Sequence, residues 1–270
     1  VDDDVLYYNP DAGEVTNISI RDISIYGNRE NNASGNGIHF GDNAGDIAFT
    51  RVGVKYTKEH GIFCEYAWGI VVMECIVEYC DGDAVNMLGG NDVRIIGNKI
   101  GASEGYGIYL TGSRHKIMGN LIFGNTEAGG YVYAKETAIV GNVIQNNEGT
   151  TDDCQLYLRG SAIVVMGNTI AVTSQTGYGI VLRAGSNNCD MRGNTISDYN
   201  TARILDPGAR NLYNGLSISR GAPETQLDTG TAEDGSTSQL IDTDQVWIAK
   251  EWQGCMVEIT GGAAAGDIRT

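Results

Sequence analysis

Proline, basic residues and long apolar runs are what this sequence has least of. Its 270 residues include three prolines, and 18 lysines and arginines stand against 34 aspartates and glutamates, for a net charge of −16. A surface of that sign repels phosphate backbones and anionic lipid, so no nucleic acid is expected as a partner. No apolar stretch approaches the ~18 residues of a membrane-spanning helix, so no membrane partner is expected either. No secretory signal opens the chain; it runs from Val1 to Thr270, where a pattern is interrupted, and a processed or truncated product is expected.

The six cysteines form no CxxC pair. Cys64 and Cys189 fall at inward strand positions, where Cys acts as a small hydrophobe. Structural thiols are expected, with a Cys75–Cys80 bridge as the alternative that spacing leaves open. His39, His60 and His115 are too scattered for a metal triad. The glycine-rich Leu88–Asp92 lacks the lysine of a phosphate loop, and EF-hand and nonapeptide calcium signatures are missing. No cofactor is expected, Ca²⁺ on loop carboxylates being the alternative.

What is present is repetition. Val93 to Leu110 reads as three apolar pieces, each long enough for a strand and too short for a helix. The Gly-Asn step in its middle returns at Asn98, Asn120, Asn142, Asn168 and Asn194, at intervals of 22, 22, 26 and 26 residues. Weaker copies align at Asn17–Ile23, Asp46–Val52 and Gly69–Cys75, where Cys75 replaces the asparagine, and a later one surrounds Leu216. Units of this period stack and share one core, which predicts an all-β parallel solenoid of about nine coils. Val93, Ile95, Ile100, Ile108 and Leu110 should point inward, because alternate strand side chains face opposite sides. The glycines permit tight bends, and the asparagine amides bond along the stack as a structural ladder.

These Gly-Asn-x-Ile and Gly-Ile-x-Leu coils resemble the right-handed parallel β-helix family of pectate lyases, polygalacturonases and viral tailspikes, over residues 15–219. Polygalacturonase-like members often carry Asp before the corresponding Gly-Asn; here Tyr26 stands there, so no catalytic role transfers. Residues 1–14 read as a lead-in or the remnant of an upstream coil, 220–237 as a linker and 238–270 as a partial β-module with Trp247 and Trp252. That last piece resembles β-modules of bacteriophage structural proteins. The resemblance implies a virion-associated tailspike or fibre, commonly trimeric, whose β-helix contacts cell-surface polysaccharide. An extracellular polysaccharide hydrolase or lyase and a purely structural spacer are the alternatives. The implied location is extracellular or the virion surface, and the implied partners are polysaccharide and two further copies in a homotrimer.

Aligned third strands predict an outward column of His39, Phe63, Asn86, Tyr109, Tyr131, Tyr157 and Val181. Coils ~4.8 Å apart would make its tyrosines a continuous strip. Phe63, Tyr109, Tyr131 and Tyr157 are the candidate substrate-binding residues, since sugar rings stack on aromatic faces. Shielding of the sheet or a subunit contact is the other reading. Beside the column lie Glu59, Asp81, Asp83, Glu104, Glu127, Asp152 and Asp153. Glycosidic cleavage needs two carboxyl groups, ~5 Å apart for retention and ~6.5–9.5 Å for inversion. Asp81, Asp83 and Glu104 are the candidate catalytic group, against the plainer reading of solvated surface. Lys55, Lys58, His60 and Arg159 are the positions from which a lyase base could act.

Overall fold

The computed structural model of the chain describes residues 3–8, 15–42, 44–150, 154–171, 177–197, 202–206, 211–212, 217–218, 234–236, 239–241, 257–258 and 268–269. Two compact units result, Val1–Pro223 and Glu224–Thr270. In the first, each coil lays down three short strands, as in Arg94–Ile96, Lys99–Gly101 and Ile108–Ser113. These join three parallel sheets which, in coil order, hold seven, nine and nine strands. The described residues include no helix.

Seven complete turns stand where about nine were expected, and partial levels extend them. Single bridges, Val164 to Asp190 and Asp190 to Leu212, continue the first sheet. At Asp190 the carboxylate accepts the Arg192 backbone N–H at 3.1 Å, a local turn that competes with strand pairing. Before the first full turn, Leu6–Tyr8 pairs with Ile38–Phe40 in the third sheet. In the second unit, Asp234–Ser236 pairs with Gln239–Ile241, and Val257–Glu258 with Ile268–Arg269, both antiparallel. Leu216 and most of 238–270 lie outside the described residues.

The inward residues named from the pattern line the core: Val93 is 1 % exposed, and Ile95, Ile100, Ile108 and Leu110 are 0 %. Each such side chain contributes about 1.5–3 kcal/mol by leaving water. The corner after the first strand adopts a left-handed backbone, with φ of 66° at Gly97, 64° at Gly119 and 66° at Gly141. Upstream the same corner is made by Glu74 (φ 56°) and Arg51 (φ 53°), so the coil persists where the Gly-Asn letters fade.

The asparagine after each corner solves a backbone problem. A bend takes its N–H out of the sheet ladder, and a buried N–H without an acceptor is costly. The N–H and Nδ2 of Asn98 both donate to Asn120 Oδ1 at 2.9 Å, and the arrangement repeats from Asn120 to Asn142, Asn142 to Asn168 and Asn168 to Asn194. Cys75 enters this ladder by donating its N–H to Asn98 Oδ1 at 2.8 Å and its thiol to the Phe49 carbonyl. Cys64, Cys75, Cys80, Cys154 and Cys189 are all buried free thiols, so Cys75 and Cys80 are not bridged; Cys189 lies between the bridge residues Asn187 and Asp190, outside any named strand. Asn120→Ala removes the acceptor of the Asn98 N–H and amide and the donor that reaches the Ile95 carbonyl. We expect it to destabilise the fold by about 2–4 kcal/mol, read from denaturant midpoints. A loss below ~0.5 kcal/mol would show that the ladder is dispensable.

Candidate functional site

The outward face of the third sheet is set by strand register. His39 pairs with Phe63, Phe63 with Asn86, Asn86 with Tyr109, Tyr109 with Tyr131, Tyr131 with Tyr157 and Tyr157 with Val181. The predicted column therefore exists as one row. Its rings do not present open faces, however. Tyr109 and Tyr131 stack at 4.8 Å with 3° between planes, and Tyr131 and Tyr157 at 4.6 Å with 7°. One coil rise equals one aromatic stacking distance, so neighbouring tyrosines occupy each other's faces and turn edges and hydroxyls outward. Tyr157 is 5 % exposed, packed with Ala128, Cys154 and Val181, and its hydroxyl accepts Arg183 Nε. The partly exposed members of the row are His39, Phe63, Tyr109 and Tyr131, with Tyr106 tilted against Tyr109 and Tyr131 at 5.8 and 5.2 Å.

Beside Tyr109 lies a second ladder built from unlike residues. Asn36 N–H donates to Asp4 Oδ1, His60 N–H to Asn36 Oδ1, Asp83 N–H to His60 Nδ1 and Tyr106 N–H to Asp83 Oδ1, over 2.6–2.9 Å. Receiving the Asp83 N–H at Nδ1 leaves Nε2 as the ring nitrogen that can carry a proton in this arrangement. The other Asp83 oxygen accepts Asn86 Nδ2 at 2.7 Å and lies 3.5 Å from His60 Nδ1. Asn86 Oδ1 is buried without a partner.

Asp83 is 8 % exposed. Burial raises its pKa above the ordinary 3.8, and the charge of Glu127 adds to the rise, while His60, the Tyr106 N–H and Asn86 oppose it. Tyr109 is pushed above 10.0, first by burial and then by the Asp83 charge, so its hydroxyl stays protonated.

The three candidate catalytic carboxylates are not equivalent. Asp81 is held by Arg29 at 3.2 Å and Lys58 at 2.8 Å. Glu104 is exposed, with its N–H tied to the Cys80 carbonyl. Only Asp83 is buried beside the tyrosine row, and the carboxylate whose field reaches it belongs to Glu127, which accepts the Thr150 hydroxyl at 2.7 Å. Asp152 and Asp153 lie outside the described residues. Among the lyase-base positions, Lys55 is held protonated by Glu78 at 2.8 Å, and Arg159 lies 4.5 Å over the Tyr133 ring. Among the described residues no three His, Cys, Asp or Glu side chains converge as a metal site. Tyr106 was not singled out from the sequence. It follows Gly105 in a loop of variable length, and only the register brings it to the row.

Residues 6–154 match the family described as right handed beta helix region. The chain belongs to this family. No curated protein matches the sequence. Among solved structures, this family member is similar to the A-module of the Azotobacter vinelandii mannuronan C-5 epimerase AlgE6, with TM-score 0.68 and 18 % identity over 77 % of this chain and 59 % of that one. It is also similar to the periplasmic alginate epimerase AlgG (0.53, 12 %, 80 % and 65 %). A third is the DFA-IIIase of Arthrobacter chlorophenolicus A6 without its lid, in complex with GF2 (0.56, 14 %, 78 % and 60 %). The chain thus spans less than two thirds of each of these structures. At such identities the likeness is one of fold.

A carboxyl whose folded pKa exceeds the unfolded value opposes folding when ionised. Its favourable contribution is complete below the unfolded pKa and is lost as pH rises through the folded one. Carboxyl NMR should give Asp83 a midpoint above 3.8, and Asp83→Asn should gain stability relative to the native chain as pH rises from the unfolded-state pKa to that midpoint and level off above it. A midpoint at or below 3.8 would remove the buried acid.

Proposed function

We propose that this β-helix engages polysaccharide along the outer face of its third sheet and acts on glycosidic bonds there. Asp83 serves as the proton-donating carboxyl and Glu127 as the second carboxylate. The observation that carries the reading is the buried Asp83 carboxyl, its pKa raised by burial, beside the Phe63–Tyr131 row. An acid of raised pKa paired with an ionised partner is what cleavage of a sugar–sugar bond requires. Tyr109, protonated and in register with Asn86, adds a donor to the sugar hydroxyls. The likeness in fold to mannuronan and alginate epimerases supports polysaccharide as the ligand class and suits an extracytoplasmic setting.

The tailspike or fibre setting expected from the sequence enters this proposal through segment 238–270. The homotrimer enters through a ridge along the Gly-Asn corner, where Met73, Ile96, Met118, Val140 and Met166 stand in register on the outward side. Copies carrying −16 each repel, and this nearly uncharged ridge is where two of them could meet.

Reducing-end release from a panel of neutral and acidic glycans tests the activity. Asp83→Asn keeps an acceptor for the Tyr106 N–H and supplies a donor to the orphan Asn86 Oδ1 once that amide flips, so it should fold. We expect it to lower turnover by 10²-fold or more, the scale of one general acid. Unchanged turnover would sink the assignment, and a product with the ultraviolet absorbance of an unsaturated uronate would replace hydrolysis by elimination.

A further inference from the structure

We propose that the first sheet carries a separate oxyanion-binding site, centred on Arg94, Arg114 and Lys116, that takes the acidic groups of a saccharide. Arg94 and Lys116 are adjacent in register on strands Arg94–Ile96 and Lys116–Met118, and both are exposed. Arg114 stands two residues before Lys116 at the corner. These side chains line a cavity of about 320 Å³, whose wall is continued by Ala138 and Val164 in the same register column. The volume lies at the small end of ligand pockets, with room for a monosaccharide-sized group.

What sets this place apart is that two cations without an ion pair stand side by side in register. Several cations on the coils are neutralised, Arg29 and Lys58 by Asp81, Lys55 and Lys99 by Glu78, and Arg51 by Asp22 and Glu74, whereas Arg21 and Lys135 are single exposed cations. Arg114 is also paired, its Nε and Nη2 donating to the two Asp92 oxygens at 2.9 and 2.8 Å. Among the described residues, Arg94 and Lys116 have no hydrogen-bond or ion-pair partner. Like charges opposite one another on neighbouring strands cost stability. Of the two carboxylates on the same cavity wall, Asp92 is taken by Arg114 and Glu136 forms an ion pair with neither Arg94 nor Lys116.

A second observation lies in the same wall. His115 is 1 % exposed and lines the cavity. Its Nδ1 accepts the Val93 N–H at 3.3 Å, which leaves the ring proton on Nε2, and Nε2 is buried with the Thr111 carbonyl as its nearby acceptor, short of a full hydrogen bond.

A carboxylate or sulfate between Arg94 and Lys116 would cancel the repulsion with charge-assisted hydrogen bonds. The C–H face of its sugar would then rest on Ala138 and Val164. The site lies on a different sheet from Asp83, so it would grip an acidic polymer without taking part in bond cleavage. That the oxyanion is borne by a polysaccharide rests on the function proposed above; the oxyanion site does not.

Calorimetric titration with oligomannuronate, a neutral dextran oligomer of equal length and inorganic sulfate tests this, on the native chain, on Arg94→Gln/Lys116→Gln and on Asp83→Asn. Both cations are exposed, so the double variant should fold, and circular dichroism checks it. We expect oligomannuronate binding to weaken at least about tenfold in the double variant, to persist in Asp83→Asn and to fall steeply with salt. Lys116→Glu should weaken it further. Equal affinity for the dextran, or no change in the double variant, would overturn the site. Sulfate binding that depends on the same two residues, without gain from chain length, would keep the site and assign it to free oxyanions. Loss of turnover in Asp83→Asn with binding intact would separate the two proposals.

Discussion

Every feature of this molecule depends on how a chain that bends three times per coil satisfies its corner N–H groups. Strand pairing serves the straight segments. At the bends a side chain must accept, and the Asn98–Asn194 ladder does so one coil at a time, with each amide bonded to the next. Because the acceptor sits on the neighbouring coil, the same bonds that close a corner also fix the register between coils. Once the register is fixed, every outward position becomes a column, and any site on the surface is assembled from residues ~22 apart rather than from a local motif.

That logic explains which parts were legible in the sequence. The inward residues and the Gly-Asn corners repeat as letters because the core and the bend admit few alternatives. Turns made by Glu74 and Arg51 were harder to read, since a non-glycine can adopt the left-handed corner at the cost of some strain. Two further ladders were not legible at all. One runs through Ser103, Asn125 and Asn147 and is capped by Gln155, which returns across a loop only eight residues on. The other uses Asp4, Asn36, His60 and Asp83, four positions filled by three residue types. An acceptor is all that the corner asks for, and several side chains provide one, so no letter repeats.

The tyrosine row shows the opposite limit. Its membership was readable from spacing alone, yet its chemistry was not. Alignment places rings in one column without saying which way they face, and the coil rise then stacks them upon one another. A row that looks like a stacking platform in sequence becomes, in three dimensions, a rail of edges and hydroxyls. Its ends differ too: Tyr157 is covered, whereas Tyr109 adjoins Asn86 and Asp83.

Asp83 is where structure and chemistry have to be separated. As a ladder residue it needs only an oxygen to receive the Tyr106 N–H, and asparagine meets that need five times over in the corner opposite. A carboxyl at a site this buried brings desolvation against its charged form and a neighbour in Glu127 that makes ionisation harder still. Nor does the arrangement around it compensate fully, since Asn86 spends its amide on Asp83 and leaves its own oxygen orphaned. The fold would be better served by an amide at position 83. A residue that is worse for the coil than its obvious substitute, and that stands beside the accessible end of the aromatic row, is better accounted for by what it does to a ligand than by what it does for the helix.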